Sequence, residues 1–200
     1  MSLFQNIIII MLLIAGAGFL SLSEIALAAA RKVKLKILAE SGEIRAQKVL
    51  DLQEQSADFF AASQIGLNAV AILGGILGEA AFRPFFVELI VQSYRGPWLE
   101  TIGFALSFTM VTSLFILFAD LMPKRLAMIA PEKIAISVIE PIQIFIRICK
   151  PLAWGINAIA NVLFRLFKVN TVRDDNMTFD DISAVMDAGA QAGVLQKQEH

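Results

Sequence analysis

The chain has little of what a soluble enzyme uses. Its 200 residues include one cysteine, one histidine and one tyrosine. Cys149 lies inside an apolar stretch, and His200 is the last residue. One thiol makes no disulfide framework, and a lone Cys and His make no zinc site. Only 18% of the residues are charged, against about 25% in an ordinary soluble domain. Internal repeats and low-complexity tracts are not evident. In place of these, 57% of the chain is AVILMFWYC, and the mean hydropathy is +0.69. One core cannot absorb that much apolar surface, and the same composition excludes disorder, collagen and a disulfide scaffold. A membrane protein follows.

The formal net charge of −1 conceals a polarity along the chain. Residues 31–50 carry six Lys/Arg, 82–100 carry two and 121–168 carry seven. Residues 170–200 hold two Lys/Arg against six Asp/Glu. The basic blocks flank apolar runs, which points to membrane topology and away from nucleic acid.

Three runs are free of charge: 2–23, 59–78 and 101–119. Each is close to the roughly 20 residues that cross a hydrocarbon core about 30 Å thick. Lone spans must satisfy their own backbone groups, so helices are predicted at about 3–28, 59–81 and 101–122. A signal peptide fits poorly, because the basic cluster follows the first run instead of preceding it. The Lys/Arg bias then places the N-terminus outside, the 31–58 loop and the C-terminal tail in the cytoplasm, and the 82–100 loop outside.

Residues 132–168 are apolar but interrupted by Glu140-Pro141, Arg147 and Lys150-Pro151. They predict a pair of short juxtamembrane helices at the cytoplasmic surface, with Arg147, Lys150, Arg165 and Lys168 on anionic headgroups. A fourth crossing by a hairpin including 134–149 is the alternative. Residues 40–58 read as a solvated amphipathic helix. Residues 169–200 read as the start of an acidic helical linker, with Thr178 three residues before Asp181 as a capping pattern. The expected class is an all-α membrane protein, with a transmembrane domain over 1–168 and a cytosolic linker over 169–200.

Polar groups in the spans point to function. The first span ends in Ser21-Leu22-Ser23-Glu24, the second holds Gln64 and Asn68, and the third ends in Asp120, followed by Pro123-Lys124-Arg125. Ionisable groups in a bilayer are expensive and point to a substrate or ion path. Ser21, Ser23, Glu24, Asn68 and Asp120 are expected around one inward-facing cavity. Pro123 is expected to break the helix and free carbonyls upstream. Blander roles compete. Glu24 and Asp120 can pair with Arg31, Lys32, Lys124 or Arg125, the serines and Gly74, Gly75 and Gly78 can serve close packing, and Asn68 can bridge helices.

Ser21-Leu-Ser-Glu-Ile-Ala-Leu27, Gln64-Ile-Gly-Leu-Asn68, Asp120-Leu-Met-Pro-Lys124 and Pro131-Glu132-Lys133 resemble the transmembrane domain of the CNNM/CorC family of magnesium transporters. The resemblance implies three spans around an inward-facing cavity, a homodimer, and cytosolic CBS domains beyond residue 200. It implies a bound Mg²⁺ held by Ser21, Ser23, Asn68 and the Ala119-Asp120 pair. The family's usual Gly-Glu reads Ala-Asp in this chain, which shortens the carboxylate by one methylene. Mg²⁺ demands near-ideal octahedral geometry, so this departure favours another cation. The sequence also resembles an enterobacterial branch of the family, to which export of putrescine and cadaverine is attributed. A diamine separates its two charges, which suits two carboxylates, Glu24 and Asp120, on different helices.

The expected function is therefore inner-membrane export of small cations, with diamines favoured. Mg²⁺ export and a regulatory or scaffold subunit are the alternatives. The expected partners are the lipid bilayer, a second copy and a small cationic substrate. No enzyme activity is expected, nor any cofactor apart from a bound Mg²⁺ or other cation. A Ser21 or Ser23 pair with Lys124 can be drawn, but nothing supplies an oxyanion hole.

Overall fold

The computed structural model describes residues 3–166, so the expected linker at 169–200 lies outside the described residues. Their order is α1 (Leu3–Ala29), α2 (Lys32–Glu40), α3 (Ile44–Glu54), α4 (Ser56–Val91) and α5 (Leu99–Leu114). A π segment (Phe115–Leu121), α6 (Met122–Ile129) and α7 (Pro131–Leu166) follow. One compact unit ends at Asn157. The second opens at Ala158, and of it only the end of α7 is described.

Among the described residues, three helical stretches are long and apolar enough to cross a membrane: Phe4–Ala29, Ser56–Val91 and the continuous run Leu99–Ile129. Only 33%, 22% and 28% of their most apolar windows are buried within the protein. Most of each apolar surface therefore faces outward, as a lipid solvent requires. The second and third stretches outrun the expected 59–81 and 101–122. Hydropathy marks the hydrocarbon layer, whereas the backbone stays helical beyond it; α4, at 36 residues, is about 54 Å long at 1.5 Å per residue.

Small residues set the closeness of α4 and α5. A Cβ on Gly78 would fall 2.4 Å from Val111 Cγ1, and one on Gly74 would enter the Phe115 ring. Gly75, which the sequence groups with them, has nothing within 4 Å of that position.

The stretch 40–58, expected as one solvated amphipathic helix, instead holds the end of α2, a turn, α3 and the start of α4. The helices α2 and α3 form a hairpin whose Leu35, Ala46 and Val49 are fully buried. They form a core with Ala26 and Ala30 of α1, Ala127 of α6, and Ala135 and Ile139 of α7. The turn between α2 and α3 closes by Gly42 N–H to Ala39 O and Glu43 N–H to Leu38 O, both 3.0 Å. Gly42 takes φ +100°, the left-handed conformation such a helix end needs and glycine adopts without steric cost. The Glu43 carboxylate then caps α3 by accepting from the Arg45 N–H. At the other end Gln53 Nε2 donates to Leu27 O (2.8 Å) and Ala30 O (2.9 Å), satisfying carbonyls at the end of α1.

The expected pair of juxtamembrane helices is one helix, α7, with Pro141 and Pro151 inside it. Ala135, Val138, Ile139 and Ile142 are buried on the bundle, and this packing outweighs the roughly 3 kcal/mol an internal proline costs. Both prolines lie on the exposed face. There the carbonyl that loses its donor can reach solvent. Phe145 and Leu20 close over Gly66, where a Cβ would sit 2.6 and 2.8 Å from them. Ion pairs run along the same helix. Glu140 meets Lys48 at 3.2 Å and Arg45 at 3.8 Å, and Lys150 lies 3.8 Å from Asp58.

Glu132, at the start of α7, is buried at 3% exposure. Arg31 Nε and Lys34 Nζ each donate to it at 3.1 Å. Burial pushes its carboxyl up, but its own backbone N–H and the two cations override this and hold it at about 2. The carboxylate thus locks the α1–α2 junction to α7.

Candidate functional site

The site begins where the third span loses its α-helical register. Across Phe115–Leu121 the helix widens to a π segment, and the Met122 N–H bonds to Leu117 O, five residues back. Pro123, the second residue of α6, has no N–H to return to the Ala119 carbonyl four residues earlier. The helix break expected at Pro123 therefore takes the form of a widened turn just upstream. Such segments gather at functional sites.

Gly18 of α1 lets this turn come close. A Cβ there would lie 3.2 Å from both Phe118 O and Pro123 Cγ. One turn further along α1, fully buried Ser21 donates from Oγ to Asp120 Oδ1 at 2.9 Å. Lys124 Nζ reaches the same carboxylate oxygen at 2.6 Å. Asp120 is thus anchored from two sides, while its side chain remains 47% exposed.

That exposed portion opens on a cavity of about 320 Å³. Glu24 and Ala17 line it from α1, Gln64, Asn68 and Ala71 from α4, and Phe115, Ala119, Asp120 and Lys124 from the third span. Glu24, Gln64 and Asn68 form no side-chain hydrogen bond with a described residue. The cavity therefore offers one unpaired carboxylate, two amides and one carboxylate already held by an ammonium. Its formal charge is −1, from Glu24, Asp120 and Lys124. Oxygen acceptors facing an apolar wall suit a small cation carrying N–H donors or a hydration shell.

Of the sequence-predicted residues, Glu24, Asn68, Ala119 and Asp120 meet at this cavity, and Ser21 stands behind Asp120. Ser23 does not join them. It is fully buried and donates to Phe19 O at 2.7 Å, one turn back on its own helix. Pro123 is buried against Gly18. The structure adds Gln64 and Lys124, each four residues from a predicted ligand on the same helix, a spacing that puts both on its face. Among the described residues no three His, Cys, Asp or Glu side chains gather as a metal cluster.

The family model described as the cyclin M transmembrane N-terminal domain matches residues 8–199. A polyamine export protein of Escherichia coli (strain K12) is 54% identical over 196 residues, covering 98% of this chain and 44% of that protein. One of Salmonella typhimurium (strain 14028s) is 56% identical over 196 residues, with coverages of 98% and 44%. One of Haemophilus influenzae (strain Rd) is 48% identical over 200 residues, with coverages of 100% and 46%. The chain spans less than half the length of these curated relatives.

Proposed function

This chain is a member of the cyclin M transmembrane domain family, and from that premise we propose that it is the membrane domain of an exporter of small organic dications, diamines such as putrescine and cadaverine. The observation that carries the reading is the pairing of Glu24 and Asp120, from different helices, in one cavity with the amides of Gln64 and Asn68. An alkylammonium has three N–H donors and needs a matching set of oxygen acceptors. Lys124 supplies a chemical precedent inside the site: its own primary ammonium rests on Asp120 at 2.6 Å. A substrate ammonium of the same kind takes that place by competition. The names of the relatives, polyamine export proteins, agree with this chemistry.

In this reading the protein sits in the bacterial inner membrane with its N-terminus outside, as the Lys/Arg bias of the loops directs. The cavity then faces the cytoplasm, because Glu24 and Asp120 lie at the basic ends of their spans. The protein works as a homodimer, and residues 169–200 lead toward cytosolic CBS domains. The reaction is transport without covalent chemistry.

Competition binding tests the proposal. Putrescine is expected to bind the purified protein and to be displaced weakly by Mg²⁺. Asp120→Asn is expected to weaken putrescine at least tenfold, since charge-assisted contacts contribute about 1.5–3 kcal/mol. Binding of Mg²⁺ that putrescine does not contest assigns magnesium as the cargo and overturns the proposal. Binding of neither leaves a scaffold.

A further inference from the structure

A third intramembrane carboxylate, Glu79, lies on the same face of α4 as the cavity. Gln64, Asn68, Ala71, Gly75 and Glu79 follow one another at steps of four, three, four and four residues, which aligns them in a single stripe. The first three line the cavity already described. The last three line another, of about 550 Å³, walled opposite by Phe104, Phe108 and Thr112. Ala71 belongs to both, so the two spaces abut. On the facing span, Phe104, Phe108, Thr112, Phe115 and Ala119 likewise pass from one space to the other.

Glu79 lies eleven residues beyond Asn68, about 16 Å further along the helix. It is buried at 9% exposure. Arg83 Nε donates to its Oε1, and the guanidinium lies 5.6 Å from the Phe104 ring centroid. Arg83 stands just beyond the 59–81 span with its side chain 42% exposed, whereas Glu79 lies within that span, where a buried carboxylate is expensive. Its place at the far end of a stripe that starts in a cation cavity gives the expense a purpose.

We infer that Glu79 forms a second cation-accepting site, which takes a primary alkylammonium arriving from the Asn68–Asp120 cavity while Arg83 serves as its counter-ion between substrates. The inference rests on the export reading. The stripe supplies the route: Ala71, shared by the two spaces, and Gly75 carry almost no side chain. Substrate and Arg83 compete for one carboxylate, so arrival of the ammonium frees the guanidinium to the Phe104 face.

Two measurements on the intact protein test this. The first is putrescine transport in proteoliposomes. Glu79→Gln is expected to lower it at least tenfold, with Asp120-dependent putrescine binding kept within about twofold. The double change Glu79→Gln with Arg83→Gln removes both charges and leaves no orphan, so it is expected to fold and to stay inactive. Recovery of transport in the double variant shows a purely structural pair and overturns the inference. The second does not depend on transport. Gly75→Cys in a Cys149→Ser background places a thiol where a Cβ meets nothing within 4 Å. A cationic methanethiosulfonate is expected to modify it at least fivefold faster than a neutral one, and Glu79→Gln is expected to abolish that preference. An unchanged preference overturns the inference whether or not the protein exports putrescine. Failure of the parent to transport, with the preference present and lost in Glu79→Gln, instead overturns the export reading alone.

Discussion

Glu132→Gln tests the lock between the α1–α2 junction and α7. The substitution keeps the shape of the side chain and removes the charge that Arg31 and Lys34 share. Lowering a carboxyl from an ordinary 4.5 to about 2 corresponds to roughly 3 kcal/mol of preference for the ionised form in the folded protein. Arg31 and Lys34 are themselves 74% and 52% exposed, so water screens them and the expected loss is about 2 kcal/mol. In a chain of this size that lowers the apparent Tm by about 4–8 °C. Because the folded carboxyl ionises at lower pH than the unfolded one, its contribution is whole above about pH 4.5 and drains away as the pH falls toward 2. Thermal unfolding of parent and variant in the same detergent at pH 7 and pH 3 measures it. Subtracting variant from parent at each pH isolates the contribution of Glu132. A gap at pH 3 less than half that at pH 7 is expected. A gap under 1 °C at pH 7, or an equal gap at both pH values, refutes the reasoning.

Two further outcomes follow from packing and charge. Gly78→Ala drives a methyl into Val111 and is expected to destabilise by about 1–3 kcal/mol, whereas Gly75→Ala, which meets no neighbour, stays within about 0.5 kcal/mol; thermal unfolding in detergent compares them. Cysteines at Ser41 and Ser93, with Cys149→Ser, are expected to label from opposite sides of the membrane, Ser93 from outside in intact cells; labelling from one side contradicts the proposed orientation.

The three spans are legible in the sequence because a bilayer imposes a length that uncharged runs must match, and the runs at 2–23, 59–78 and 101–119 match it. The α2–α3 hairpin is not legible as core. Leu35, Ala46 and Val49 stand among lysines and glutamates, and the face that buries them includes Ala135 and Ile139, far along the chain. Its polar residues mislead for the same reason, since Lys48 and Arg45 look solvated until Glu140 is placed beside them. Continuity of α7 is obscured by Pro141 and Pro151, which read locally as breaks and are overruled by tertiary burial. At the site, the identity of the polar groups is readable, and their partnerships are not. Ser21 and Asp120 are 99 residues apart when they bond. The separation of Ser21 from Ser23 is within reach of geometry alone, because two steps along a helix turn a side chain by about 200°.

The tight joint between α2 and α3 also restricts what this chain can accommodate. Ser41, Gly42 and Glu43 each already close a backbone hydrogen bond to the end of α2, so the connection has no slack. One added residue would turn α3 by about 100° about its axis. That rotation carries Ala46 and Val49 off α7 and takes Lys48 and Arg45 away from Glu140. Residues in this stretch can therefore be exchanged more readily than its length can be changed, and an inserted residue is expected to be borne better by a segment such as 92–98, which connects spans without supporting them.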